Sequence, residues 1–338
     1  MKSNSYDISI DISPWTSCGY SLKELKLVEK IGGELSGGEA EFFIEDLTSN
    51  NVLSLLTDLN TGSITLRNDK EGGIQYEDIP FFITSRDWIE NHLKIEFICI
   101  PDHLFYDEFI TTSFEDINAA LGMLYPGKAN IESTSDINNG IPILQVFESN
   151  YNLCTRLCLS FKHDTIFGYG WDGLFIKDIP GEPKYSVMSG LGNMSIISPY
   201  SLKYSYILNT EPKDMEMDTE NSKSMLINYE GKEHYIMGID YYHLVENYVW
   251  NKRFYDVGFN SSIKLKGTDM PSYRLGDIVE IGNTKDDQKL PFTKFLVASN
   301  ELYYSLPENK DRDESGLKFS WTSEFFGLDK GKWNENEE

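Results

Sequence analysis

The sequence predicts an α+β protein in which two small antiparallel β-barrel domains are joined by a middle region that carries the helices. Three observations support this. Short runs rich in Tyr, Phe, Ile and Thr alternate apolar and polar residues, the period-two mark of strands with one wet face. Glycine pairs and Asp-Gly steps punctuate those runs at the spacing of a small closed or nearly closed barrel. Between the strand-rich stretches, apolar residues recur at three- and four-residue steps, the stripe of an amphipathic helix. With 338 residues, 40% of them hydrophobic and 13% aromatic, the chain has the material for two or three cores.

The first strand-rich domain covers residues 1–110. Tyr6–Ile10 alternates apolar and polar residues, and Glu41–Glu45 follows the Gly37-Gly38 pair. Ser63–Arg67 alternates again, Gly72-Gly73 marks a turn, and Phe81–Thr84 and Leu93–Ile98 complete the set. Asn51–Leu59 reads as either a short helix or a turn crossing one end.

The α+β middle domain covers residues 111–223. Thr112 with Glu115 three residues on forms a capping box that opens a helix. That helix bears Ile117, Ala120, Leu121 and Leu124 on one face and stops at Tyr125-Pro126-Gly127. A second helix is expected over Leu144–Lys162, with Phe147, Tyr151, Cys154, Leu157, Cys158 and Phe161 as its apolar stripe. Thr165–Gly170 and Gly173–Ile176 then read as a hairpin turning at Trp171-Asp172-Gly173, because an Asp-Gly step tolerates positive φ. Glu211–Lys223 is acidic and reads as an exposed loop or insertion.

The second barrel covers residues 224–305. Met225–Tyr229, Phe254–Lys266, Tyr273–Ile281 and Phe292–Tyr304 carry strand signals, with an inserted helix over Gly238–Arg253. Residues 306–338 form an acidic tail holding Trp321, Phe325, Phe326 and Trp333, which reads either as a segment that docks on a partner or as a disordered end.

The formal charge of −24 disfavours a groove that grips nucleic acid by neutralising phosphates. It fits either simple solubility or an acidic wall past which nucleic acid slides without sticking. Cys18, Cys99, Cys154 and Cys158 include no CxxC pair, so free thiols in a reducing cytoplasm are expected rather than a metal or redox centre. The five histidines, His92, His103, His163, His234 and His243, are scattered without HExxH spacing, and no metal or other cofactor is expected. Asp172 and Asp277 read as turn formers. Ser36-Gly37-Gly38 and Gly190-Leu191-Gly192 are not nucleophile or phosphate-binding loops, and a glycosidase's paired carboxylates have no sequence mark here. Tyr169 and Trp171 fit either a sugar-stacking platform or a packed core and subunit interface. No signal peptide and no transmembrane run is expected.

Three stretches carry a resemblance. They are Thr112–Ile117 through Leu124–Gly127; Gln145–Tyr151 with Leu153 and Arg156–Cys158; and Gly170–Leu174. In that order, flanked by two strand-rich domains, they resemble the hub family of contractile injection machines, which includes the central baseplate hub of contractile-tailed bacteriophages and the N-terminal part of type VI secretion spike proteins. The likeness covers the layout of residues 6–305. It implies a non-enzymatic structural protein that forms a homotrimeric ring. Two related barrels per chain then let a threefold central spike meet a sixfold tail tube. It also implies contacts with the spike, with a tube or tube-initiator protein and with other baseplate proteins. DNA would pass through the lumen without specific binding. The expected location is the virion tail baseplate, after assembly in the host bacterial cytoplasm. Some relatives append a lysozyme or peptidase domain, for which no stretch here is long enough. The alternatives are a tail-associated carbohydrate- or receptor-binding module and a hydrolase with paired carboxylates.

Overall fold

The computed structural model describes residues 6–12, 15, 19–45, 48, 61–68, 75–132, 143–161, 165–179, 183–189, 194–197, 226–229, 232–235, 262–267, 270–283, 294–306 and 318–328. The expected elements at Asn51–Leu59, Gly72-Gly73, Glu211–Lys223 and Gly238–Arg253 lie outside them. So do Cys18, His163, His243 and the Gly190–Gly192 stretch.

The N-terminal strands are β1 (Tyr6–Asp11), β2 (Tyr20–Lys30), β3 (Gly32–Leu35), β4 (Gly37–Ile44), β5 (Thr61–Asn68), β6 (Tyr76–Ile89) and β7 (His92–Ile98). Alternation decides their faces. Leu25 and Leu27 of β2, Ala40 and Phe42 of β4, and Leu93 and Ile95 of β7 all point inward and are buried. The opposite face is charged, with Lys94–Glu39 at 2.5 Å, His92–Glu41 at 2.7 Å and Lys26–Glu301 at 3.6 Å bridging neighbouring strands. Gly38 sits opposite Leu27 and Phe97, where any Cβ would strike the Lys26 carbonyl and crowd the Phe97 ring. The glycine pair is therefore part of the strand, and it lets an aromatic lie across the backbone.

Next come α1 (Leu104–Asp107), β8 (Phe109–Phe114), α2 (Ile117–Leu124), β9 (Ala129–Ile131), β10 (Ile143–Ser149), α3 (Asn150–Leu159), β11 (Thr165–Gly170) and β12 (Gly173–Asp178). The predicted face of α2 is the buried one, but its cap is Asp116, whose carboxylate accepts from the Ala119 N–H at 2.8 Å. Thr112 lies instead in β8. The helix expected over Leu144–Lys162 is also corrected. Its first part is β10, antiparallel to β8 with a bulge between Gln145 and Glu148, and the helix proper covers only Asn150–Leu159. Ser149 ends the strand and caps the helix by accepting from the Asn152 N–H at 3.2 Å.

The chain continues through β13 (Tyr185–Ser189), β14 (Met194–Ile197), β15 (Leu226–Tyr229), β16 (Lys232–Tyr235), β17 (Ser262–Gly267), β18 (Ile278–Asn283), β19 (Lys294–Ser305) and β20 (Lys318–Gly327). Twelve strands form one sheet whose main path runs β1-β5-β6-β7-β4-β2-β19-β20-β17-β14, with β18 on β19 and β13 on β18. The N-terminal strands thus continue directly into the C-terminal ones through β2 and β19, from Ser299↔Lys30 to Ser305↔Glu24. The tail expectation fails over β20. Phe319, Trp321 and Phe325 alternate inward and are buried, so this segment is an interior strand between β19 and β17. Among the described residues two four-stranded sheets lie beside the twelve-stranded one, β15-β16-β10-β8 and β3-β11-β12-β9. The protein is a β-rich α+β molecule with few helices.

Of the three cores that meet at the β11–β12 hairpin, two bear on the site. One gathers Leu27, Phe42, Ile95, Phe97, Trp171, Leu302 and Trp321, drawn from both ends of the chain and from the hairpin turn. The other packs Leu121, Leu124, Leu153 and Leu157 of the helices against Phe167 and Leu174 of the hairpin strands.

Candidate functional site

The site is built on the hairpin. All residues of β11 are buried, and Gly170 pairs with Gly173 across the Trp171-Asp172 turn, where the sequence places it. Gly173 has φ of +113°, and a Cβ there would run into the Lys128 carbonyl, so the turn accepts only glycine. Trp171 is 2% exposed. Its ring meets Tyr76 edge-on at 5.2 Å and Trp321 edge-on at 5.6 Å, joining β6 to β20. Tyr169 is 1% exposed and lies among Phe105, Tyr125, Tyr151 and Phe167. Burial settles the alternative left open for this pair: neither ring is available to stack a sugar.

Beneath the turn lies a buried polar chain. Glu29 occupies an inward position of β2, in line with Leu25 and Leu27, and is 2% exposed. One carboxylate oxygen accepts from the Trp171 backbone N–H at 3.0 Å and the other from the Asn300 side-chain amide at 2.8 Å. The Asn300 carbonyl oxygen accepts from the Ser323 hydroxyl at 2.7 Å. Ser323 in turn accepts from the Trp321 indole N–H at 2.8 Å and the Tyr273 hydroxyl at 3.1 Å. Every donor in this chain points towards Glu29, so β2, the hairpin turn, β19 and β20 are tied to one carboxylate.

Electrostatics at Glu29 are in conflict. Burying a carboxylate costs several kcal/mol, whereas each hydrogen bond to a charged group returns about 1.5–3 kcal/mol. Burial wins, pushing the carboxyl up to about 7, although Asn300, Trp171 and Arg274 pull the other way. Burial also raises the Tyr76 phenol well above its usual range, with the Glu29 charge adding to it. Among the described residues neither the Tyr76 hydroxyl nor the Trp171 indole N–H has a hydrogen-bond partner, although both are buried. The Arg274 guanidinium lies 5.3 Å above the Tyr76 ring and pairs with Asp172 of the turn. Asp277 accepts from the Arg274 N–H at 2.7 Å, closing a turn, and meets Lys177 at 3.3 Å. Outside this junction a cleft of about 560 Å³ opens between Gln75, Glu77, Pro101, Lys128, Trp171 and Arg274.

The other candidates have ordinary partners. His92 pairs with Glu41, and His103 sits 3.6 Å from Asp102. Cys99, Cys154 and Cys158 are buried free thiols, and burial pushes Cys99 and Cys158 well up. Ser36 is buried and donates to the Tyr169 carbonyl, holding β11 against the β3–β4 corner. Among the described residues no group of three His, Cys, Asp or Glu side chains could hold a metal, and no helix is long and apolar enough to cross a membrane. Sequence reasoning missed Glu29, Asn300 and Ser323. The available signal was the charged residue at the third inward position of the Leu25-Leu27-Glu29 alternation.

No protein-family model and no curated protein matches the sequence. Comparison with solved structures does give matches. The E. coli c3393 protein is a component of the type VI secretion system with structural similarity to the T4 bacteriophage tail proteins gp27 and gp5. It matches with a TM-score of 0.53 and 9% identity, over 95% of this chain and 77% of that one. The fold is that of phage tail hub and type VI spike proteins. The 43 kDa tail protein of prophage MuSo2 from Shewanella oneidensis matches with a TM-score of 0.55 and 10% identity, over 96% of this chain and 97% of that one. A chain of the Francisella PdpA-VgrG complex matches with a TM-score of 0.55 and 11% identity, and 58% of its length is covered.

Proposed function

We propose that this chain is a structural hub of a phage tail baseplate or a related injection machine. In this reading the N- and C-terminal strands each curl into a barrel, three chains close into a ring, and the six barrels match a sixfold tube to a threefold spike. Closure also covers sheet edges that would otherwise invite aggregation. The role is geometric and calls for no catalytic group. The charge of −24 suits a lumen through which DNA passes without sticking. Its neighbours in the virion would be the spike, a tube or tube-initiator protein and other baseplate proteins, after assembly in the host cytoplasm.

The observation that carries the proposal is the buried Glu29 junction, which ties together strands from both ends of the chain, within a fold shared with tail and spike proteins. A symmetry adaptor needs its two strand-built parts held at a fixed angle. The test is electron microscopy with native mass spectrometry of the purified protein, alone and with its co-encoded tail proteins. Threefold rings are expected. A monomer that joins neither tube nor spike would overturn the proposal.

A further inference from the structure

We propose that the corner between α1 and β8 is a docking surface for a segment of another protein that carries lysine or arginine beside apolar side chains. Among the described residues six large apolar side chains are exposed, and three of them, Leu104, Tyr106 and Phe109, fall within six consecutive positions. They are 43%, 46% and 55% exposed. Single exposed apolar side chains are ordinary on a protein surface, but a run of them marks a place where something binds. The corner is held from beneath. Phe105 is 2% exposed and meets the rings of Tyr125, Tyr151 and Tyr169 at 5.4, 6.0 and 6.0 Å. Tyr106 lies 5.3 Å from Tyr151, whose hydroxyl donates to the Gly33 carbonyl. The outward side chains therefore stand on a braced backbone, which lowers the ordering cost of binding.

The charge around these side chains selects the occupant. No lysine or arginine occurs between Lys94 and Lys128. Asp107 and Glu108 are exposed between Tyr106 and Phe109, and Glu115 is exposed just past β8. Among the described residues no lysine or arginine pairs with any of these three carboxylates. The outer face of the N-terminal sheet differs, since Lys94 matches Glu39 and Lys26 matches Glu301 there. Unmatched carboxylates among exposed apolar groups attract cations and repel nucleic acid and anionic lipid. They also repel a second copy laid corner to corner, because each copy carries a charge of −24. The occupant is thus a basic segment of a different chain. Its apolar side chains would cover Leu104, Tyr106 and Phe109, and its cations would meet Asp107 and Glu108.

Fluorescence anisotropy with the full-length protein tests this, using short labelled peptides that alternate Leu with Lys, Leu with Glu, or Ser with Lys. The Leu–Lys peptide should bind at least about tenfold more tightly than either comparator. Asp107→Asn combined with Glu108→Gln should weaken it about tenfold, and so should Tyr106→Ser combined with Phe109→Ser. Glu39→Gln combined with Glu301→Gln, on the sheet face, should leave it level. Equal binding of the Ser–Lys peptide would reduce the effect to general attraction by an acidic protein and overturn the proposal. Wild-type affinity in both corner variants would overturn it too. Should the Tyr106 and Phe109 variant not fold, the charge variant, which alters only exposed side chains, decides. Sedimentation of the charge variant should show the wild-type oligomeric state. Dissociation would assign the corner to contacts between copies of this chain and refute the basic partner.

Discussion

Glu29 occupies a position that alternation assigns to an apolar side chain, and this has consequences for the stability of the protein. Because its carboxyl is raised from 4.5 to about 7 in the folded protein, the folded state binds an extra proton between those values. Its contribution is fully present below the lower value and is lost as pH rises through the upper one. Urea unfolding should therefore show a loss of about 2.5 kcal/mol from this group between pH 5 and pH 8. Glu39, lowered by its bond to Lys94, acts in the opposite sense, but the pair is nearly half exposed and contributes little. Ser323 is the other sensitive position. Ser323→Ala would strand the Asn300 carbonyl, the Trp321 indole and the Tyr273 hydroxyl together, and should cost about 2–3 kcal/mol in the same measurement.

The hairpin and the two longer helices show how elements are set by single local contacts. Gly173→Ala puts a Cβ into the Lys128 carbonyl at a φ that L side chains avoid, and a loss of about 3 kcal/mol in chemical denaturation is expected. Asp116→Ala and Ser149→Ala each remove a helix cap and should each cost about 1 kcal/mol, measured the same way. The Ser149 cap also explains why periodicity overextends α3. Phe147, Tyr151, Cys154 and Cys158 keep helical spacing, yet Ser149 divides them, because its hydroxyl can end a strand and begin a helix at one residue. Periodicity summed across such a junction reads as one long helix. The hairpin is legible for the converse reason: an Asp-Gly turn states its own geometry and needs no distant partner.

The sheet as a unit depends on its last strand. β20 lies between β19 and β17 and buries Trp321 and Phe325, so it supplies a wall for cores made by the opposite end of the chain. A chain ended after Leu306 should lose cooperative unfolding, seen as a broad, shallow urea transition followed by circular dichroism. The same strand closes the polar chain at Ser323, so its loss also removes the support of the Asn300–Glu29 contact. Residues with a charged, tail-like composition around them thus complete the interior.

Composition, alternation and turn chemistry in the amino-acid order were enough for the β-rich character, most of the N-terminal strands, the buried face of α2, the hairpin and the likeness to tail hubs. These features rest on contacts within a few residues, which local patterns encode. Which strands meet was decided only by the fold, as with β2 against β19 and β20 inside the sheet. So was the meeting of Glu29, Trp171, Asn300 and Ser323 from four separate segments. A hydrogen bond between residues hundreds of positions apart leaves no period in the chain, and whether a carboxylate is buried depends on what covers it.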